Sequence, residues 1–303
     1  MNVLSVIVPI FRCDSTLVPL YERIRVTLDS IGRDFELILV HDGCSMSSWR
    51  TIENLARSDR RVRGLRLSRN FGQHPAIMAG MRCARGSLIA VLDCDLQDPV
   101  ETLPQYLALA ETSDVVLSVR TERADGAVRK LQSHVYAFAL RTITGQSVDP
   151  RLGGISVLSS KVAAEYVKFN EPDHHFQYIL KWLGFSTKCV EIERSERVSG
   201  RSSYSFRSRL RHTSSGLFFF PARIVGFVAG MGIAVFLLGV LLVAIILVSS
   251  LNATPVSGWL STISLIVLFS GFNVGLTAVV GIYVMRTFEK VKERPLYVID
   301  EVV

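Results

Sequence analysis

Two stretches of this 303-residue chain carry no Asp, Glu, Lys or Arg: Ile224 to Val248, 25 residues, and Leu260 to Met285, 26 residues. As helices rising ~1.5 Å per residue, each exceeds the roughly 30 Å hydrocarbon core of a bilayer. The alternative is a pair of helices buried in a soluble core, but soluble helices of this length ordinarily keep one polar face. The expectation is a transmembrane hairpin. Arg207, Arg209, Arg211 and Arg223 precede it, Arg286, Lys290, Lys292 and Arg294 follow it, and the connecting SSLNATPVSG carries no charge. Basic flanks stay on the cytoplasmic side. Met1 and Asn2 lead straight into VLSVIVPI with no basic n-region or cleavage site. Both termini and the domain before the hairpin are therefore expected on the cytosolic side of a membrane.

The net charge of +7 fits attraction to an anionic leaflet, and phosphate-binding residues would add to the same total. Nucleic acid is set aside as a partner because the basic residues flank the apolar spans. The five cysteines are odd in number and show no CxxC spacing. They suggest neither a disulfide framework nor a zinc site, so reduced thiols are expected. His174 and His175 adjoin without a third ligand at metal spacing, which favours a loop or membrane-facing role.

The first 120 residues alternate short apolar runs with helical patterns. LSVIVPI precedes a helix with apolar Leu17, Leu20, Ile24, Leu28 and Ile31, and FELILV precedes one from about Trp49. VRGLRL is followed by a helix from about Pro75, SLIAVL by one from about Glu101, and DVVLSV closes the series. Strands that are apolar throughout, alternating with helices, argue for a mainly parallel, doubly wound α/β sheet covered on both faces. The region of Trp182 reads as core packing against that sheet.

Ligands bind such sheets beyond the carboxyl ends of the strands. PIFRCD, HDGCS and DCDLQDP each end a strand, so the three loops are expected to share one crevice. Neither a dinucleotide-binding GxGxxG nor a GxxxxGK[ST] loop occurs. Carboxylates stand where phosphates would sit, which points to a nucleotide held through a divalent metal. Asp93 and Asp95 lie two apart, so at an extended strand end both would face one side. With the Gln97 amide they offer hard oxygen ligands suited to Mg²⁺ or Mn²⁺, leaving positions open for a diphosphate. A solvated loop is the plain alternative for a lone DxD. Asp98, before Pro99, reads as the cap of a helix starting near Val100.

LSVIVPIF, SRNFGQHPAIMAGMRCARG, DCDLQDPVETLP, RTER, WLGF, RVSGRSSYSF and FFFPARIVGF, followed by the paired spans, resemble the family 2 glycosyltransferases of GT-A fold. The resemblance is to their membrane-anchored polyprenyl-phosphate sugar transferases, akin to dolichol-phosphate mannose synthase and bacterial GtrB-like enzymes. It implies transfer of one sugar from a nucleotide-diphosphate sugar to a polyprenyl phosphate, with inversion at the anomeric carbon. The acceptor phosphate is already an anion and needs little help from a base. By motif, Pro9, Phe11, Asp42 and Asp93 would line the nucleotide-sugar pocket, and Asp95 and Gln97 would hold the metal. Asp93, Asp95 and Arg129 would carry catalysis. Arg120, Arg123 and Arg201, with the hydroxyls of Ser133 and Ser202, would receive donor and acceptor phosphates.

The same resemblance divides the chain into a GT-A domain (1–205), a juxtamembrane interfacial segment (206–223), spans at 224–248 and 260–285 around an extracytoplasmic loop (249–259), and a cytosolic tail (286–303). GxxxG spacings at Gly226/Gly230 and Gly271/Gly275 predict close helix packing, within the hairpin or in a homo-oligomer. Departures from the family pattern are His41 and Cys44 in place of an acid and a hydroxyl, Phe11, Arg12 and Cys13 in place of YNE, Ser203 in place of a lysine, and Gly154 in place of an acid or amide. Two rival readings remain: another lipid or glycan as acceptor, and a catalytically silent paralogue that binds a nucleotide sugar or scaffolds a partner. A polymer-extruding synthase would need more spans and a QxxRW motif, and the chain has neither.

Overall fold

The computed structural model describes residues 3–120, 152–169, 176–192 and 258–303, with isolated positions between 232 and 248. Strand β1 (Leu4–Ile10) has no exposed residue along its length. A strand buried on both faces must be flanked by other strands and covered above and below. It pairs in parallel with β2 (Phe35–His41) on one side and β4 (Leu88–Val91) on the other, and β2 pairs in parallel with β3 (Val62–Leu67).

Alternate β1 residues serve opposite layers. Val6, Val8 and Ile10 share a core with Leu17, Leu20, Ile24 and Leu28 of α1 (Leu17–Ser30), with Trp49 and Ile52 of α2 (Met46–Ser58), and with Leu103 and Tyr106 of α4 (Leu103–Ala110). On the other face, α3 (Gln73–Cys83) lies so close that a Cβ added at Gly80 would stand 2.4 Å from Ile7, too near for a side chain without a shift. Ile31, expected in the apolar stripe of α1, lies just past its end and is 44% exposed.

The expected parallel series breaks after β4. Between β4 and β5 (Val115–Arg120) lies β6 (Leu152–Ser159), antiparallel to both. Beyond β5, β7 (Thr187–Ile192) returns to parallel pairing. At the opposite edge β8 (Ile299–Val302) runs antiparallel to β3, so the segment expected as a tail adds an edge strand. The sheet is mixed, in the order β7-β5-β6-β4-β1-β2-β3-β8. Helix α5 (Ser160–Tyr166) packs on β4 and β6, and α6 (Phe176–Leu183) packs on α5. Trp182 does not join the core as expected. In the last turn of α6 it stands 62% exposed, edge-on to Phe169 at 5.2 Å.

The chain divides into two compact units. The first joins Met1–Ala137, Ser147–His212 and Pro295–Val303, and the second joins Phe138–Gln146 and Thr213–Arg294. Within the second, α7 (Trp259–Val291) is one helix of 33 residues that contains the second apolar stretch. Gly232 faces Phe272 and Gly239 faces Phe269, an antiparallel match in which a Cβ at Gly239 would stand 2.6 Å from the Phe269 ring, so the glycine there leaves room for it. Gly275, by contrast, faces open space, and Gly226 and Gly230 lie outside the described residues. Taken over the described residues alone, no helix is long and apolar enough to cross a membrane.

At the amino ends of the strands one ionic knot ties α1, α2 and β2 together. Arg61 lies 2.8 Å from Asp59, just past α2, and 2.7 Å from Asp29 of α1, and its guanidinium covers the Phe35 ring at 4.4 Å. Tyr21 donates to Asp59 at 2.9 Å. Hydrogen bonding from Arg61 holds the Asp59 carboxyl down at about 2, against an ordinary 3.8. A depressed carboxylate contributes stability that is complete above its unfolded value and lost as pH falls through its folded one. Asp59→Asn is therefore expected to cost about 1–2 kcal/mol at pH 7, allowing for solvent screening at half-exposed Arg61. Thermal unfolding from pH 7 to pH 2 checks this: the difference between the two proteins should shrink between pH 4 and pH 2.

Candidate functional site

The register places Ile10 beside His41 and Ile7 beside Val91. The loops after β1, β2 and β4 therefore emerge side by side at the carboxyl edge, as the sequence predicts, and the loop after β3 joins them. Asp42, at the end of β2, is 2% exposed, and its two oxygens accept the backbone N–H groups of Phe71 at 2.7 Å and Gly72 at 2.9 Å. Burial pushes the Asp42 carboxyl above its usual value, while these two amides pull it back. Gly43 follows in a left-handed conformation (φ 57°), against the backbone of Arg69 and Asn70 where no Cβ would fit. Asp42 thus anchors the NFGQ loop.

That loop delivers Gln73, at the start of α3, to the acidic cluster. Gln73 Nε2 donates to Asp93 Oδ1 at 2.8 Å. No local spacing around NFGQ gives Gln73 a role, and only the fold brings it to Asp93. The DxD segment is a turn, where an extended strand end was expected. Asp95 Oδ1 accepts the N–H of Gln97 at 3.1 Å, and Leu96 between them takes a left-handed φ of 59°. An acid whose side chain bonds the amide two residues on closes a turn of this kind.

Asp93 and Asp95 are half-buried. Gln97 is 3% exposed, and its Oε1 has no hydrogen-bond partner among the described residues. An acceptor sealed in this way costs about 1–3 kcal/mol unless a cation or donor takes it up. Among the described residues no three His, Cys, Asp or Glu side chains converge as a metal cluster. The donor set is two carboxylates and one orphaned amide oxygen, which fits a hard divalent ion that keeps open positions for ligand oxygens.

Asp98 is not a helix cap. The short 3₁₀ turn Val100–Thr102 has no side-chain cap, and Asp98 Oδ2 instead accepts the N–H of Gly154 at 3.1 Å. A Cβ at Gly154 would overlap the carboxylates of both Asp93 and Asp98. The missing side chain at this departure from the family pattern therefore leaves room for the two acids. Cys13 and Cys94 are joined as a disulfide, against the expectation of five reduced thiols; the pairing links residues 81 apart in sequence, so no local spacing announces it.

Of the other predicted site residues, Pro9 is buried in β1, and Phe11 is 39% exposed with the Arg12 guanidinium 5.2 Å from its ring centre. Arg120 ends β5. Arg123, Arg129, Ser133, Arg201, Ser202 and Ser203 lie outside the described residues. His41 is 1% exposed. Burial works against its charged form, but the Cys44 thiol at 3.3 Å and the Ser45 carbonyl at 3.0 Å outweigh it and raise the ring above its usual value.

Residues 5–167 match the family model described as glycosyl transferase family 2. The chain is 30% identical to an uncharacterized glycosyltransferase, YkcC, of Bacillus subtilis (strain 168), over 98% of this chain and 93% of that one. It is 30% identical to the undecaprenyl-phosphate 4-deoxy-4-formamido-L-arabinose transferase of Proteus mirabilis (strain HI4320), covering 100% of this chain and 94% of the relative. It is 29% identical to the bactoprenol glucosyl transferase of Shigella phage SfII, over 98% and 97%. Among solved structures, mannosyl-3-phosphoglycerate synthase from Rubrobacter xylanophilus shares the fold, with a TM-score of 0.51 at 15% identity over 71% of each chain.

Gly154→Ala is expected to leave the protein folded while pushing Asp93 off its Gln73 bond. Metal-dependent nucleotide binding, measured by calorimetry, should weaken by on the order of tenfold. Gln73→Ala should weaken it in the same direction, since it removes one neutral hydrogen bond to a carboxylate.

Proposed function

The chain belongs to glycosyl transferase family 2, and we propose that it moves a single sugar from a nucleotide-diphosphate sugar to a polyprenyl phosphate at the cytosolic face of a membrane. The observation that carries the donor half is the acidic turn at the carboxyl edge. There Asp93 is held by Gln73, Asp95 is fixed by its own turn, and the Gln97 oxygen awaits a partner. Asp95 and Gln97 would hold Mg²⁺ or Mn²⁺, with Asp93 beside the diphosphate. A bound divalent ion would offset charge on the departing nucleoside diphosphate.

The acceptor half rests on the relatives. Transferases named for undecaprenyl phosphate and bactoprenol match over 98% or more of this chain, well beyond residue 167 where the family match ends. A phosphate acceptor arrives as an anion, so the site has no need of a strong base. It needs cations, and Arg120, Arg123, Arg129 and Arg201 are the residues proposed to supply them.

Membrane anchoring is part of the same proposal. Along α7, Ile266, Val280, Val284 and Met285 are each more than half exposed, and such a series of apolar side chains suits lipid better than water. Seven residues, 292–298, separate the end of α7 from β8, which pairs with β3 of the sheet. A chain that leaves the sheet and returns to it must cross a bilayer an even number of times. That supports a hairpin with both termini on the side of the catalytic domain.

The test is transfer itself. Purified full-length protein in detergent would be given undecaprenyl phosphate and a panel of UDP- and GDP-sugars, with Mg²⁺ or Mn²⁺, with chelator, and as Asp95→Asn. Lipid-linked sugar that needs the metal and drops about a hundredfold or more in the variant is the expected result. Nucleotide binding with no lipid-linked product from any donor would overturn the proposal in favour of a silent paralogue.

A further inference from the structure

The Cys13–Cys94 disulfide stands where a structural crosslink has no obvious duty. Cys94 is the middle residue of the DxD turn, between Asp93 and Asp95, and Cys13 lies in the loop after β1 that flanks the nucleotide pocket. The two Cα atoms are 6.2 Å apart, within the ordinary range for a disulfide. Cys94 is 9% exposed and belongs to the main apolar core, against which the partly buried Cys13 packs.

Two further features mark these loops. The Thr16 hydroxyl, buried, donates to the Cys94 carbonyl at 2.6 Å and lies 3.1 Å from the Cys13 carbonyl, so the loops remain in contact without the covalent bond. Arg12 and Leu96 both hold left-handed φ angles, 57° and 59°. One adjoins Cys13 and the other lies two residues past Cys94. Side chains other than glycine hold that conformation at a cost, and they keep it only where surrounding structure imposes it. A covalent tie between the two strained loops is such an imposition.

We propose that the Cys13–Cys94 pair is a redox switch on the donor site: the disulfide holds the DxD turn in its ligand-ready geometry, and reduction loosens it. The inference rests on the donor-site reading given above. Reduction by a dithiol breaks the S–S bond, places two electrons and two protons on the Cys13 and Cys94 sulfurs, and leaves the reductant as its own disulfide. Two thiols, one of them on the buried Cys94, require more room than one disulfide, so the loops separate and Leu96 relaxes, taking Asp95 and Gln97 out of register. In a reducing compartment such a pair reports redox state, because disulfides there are transient and regulatory. Cys44, Cys83 and Cys189 stand outside the bond.

The test uses the full-length protein in detergent, equilibrated in buffers of graded dithiol/disulfide ratio. Alkylation followed by mass measurement should count three modified thiols in the oxidised form and five in the reduced form, five being every cysteine in the chain. Binding of UDP-glucose and GDP-mannose with Mn²⁺, measured on the same samples, should weaken by on the order of tenfold on reduction. The change should track the thiol count. Cys13→Ser and Cys94→Ser should each bind as the reduced protein does under all conditions, while Cys189→Ser should lower both thiol counts by one and keep the response.

Five modified thiols at every ratio would overturn the proposal by showing no bond, and equal affinity in the two redox forms would overturn it by showing no coupling. If neither probe binds in either form although the count still moves from three to five, the donor-site reading fails and the coupling falls with it, while the bond stands.

Discussion

The complete burial of β1 is the constraint from which the rest of the molecule follows. A strand with no polar face cannot sit at an edge or face water, so it takes parallel partners on both sides and helices above and below. Parallel strands bring their carboxyl ends to one edge. The loops after β1, β2, β3 and β4 are therefore neighbours, although their residues lie far apart in sequence. Chemistry at this edge does not depend on any one loop, because each is held by an atom from another.

The hydrogen bonds at the edge show how that holding is done. Asp42 spends both carboxylate oxygens on the amides of the NFGQ loop, Gln73 at the end of that loop holds Asp93, and Asp98 holds the backbone of Gly154. Of the acids Asp42, Asp93, Asp95 and Asp98, three accept backbone N–H groups: Asp42 from Phe71 and Gly72, Asp95 from Gln97, and Asp98 from Gly154. Within the turn of Asp93–Gln97, the buried Gln97 Oε1 is the amide oxygen without a hydrogen-bond partner among the described residues. Crowding of like charge is tolerable here because amide groups divide the work. The same division explains why a glycine at position 154 suits this site: a side chain there would displace the acids it faces.

Much of the fold was legible in the sequence. The runs LSVIVPI, FELILV and VRGLRL became adjacent strands, and Leu17, Leu20, Ile24 and Leu28 became the buried stripe of α1, because apolar periodicity reports burial directly. DCDLQDP was correctly placed after a strand at the ligand edge. What escaped were features that arise between distant segments. β6 inserts antiparallel between β4 and β5, and its composition, LGGISVLS, does not reveal which strands it will join. The return of β8 to β3, the exposure of Trp182 and the Asp98–Gly154 bond belong to the same class.

Taken one stretch at a time, the chain already announces a doubly wound domain with an acidic loop after its fourth strand, followed by two long uncharged stretches. These are local properties: runs, spacings and the sign of charge, each set by a residue and its near neighbours. It takes the folded sheet to show that Asp42 serves the backbone, that Gln73 reaches Asp93, that Gly154 makes room for two acids, and that Cys13 meets Cys94 across 81 positions. The physical reason is that hydrogen bonds, close approaches and disulfides depend on distances of a few ångströms between loops. Those distances are set by strand order and register, which no single stretch of sequence contains.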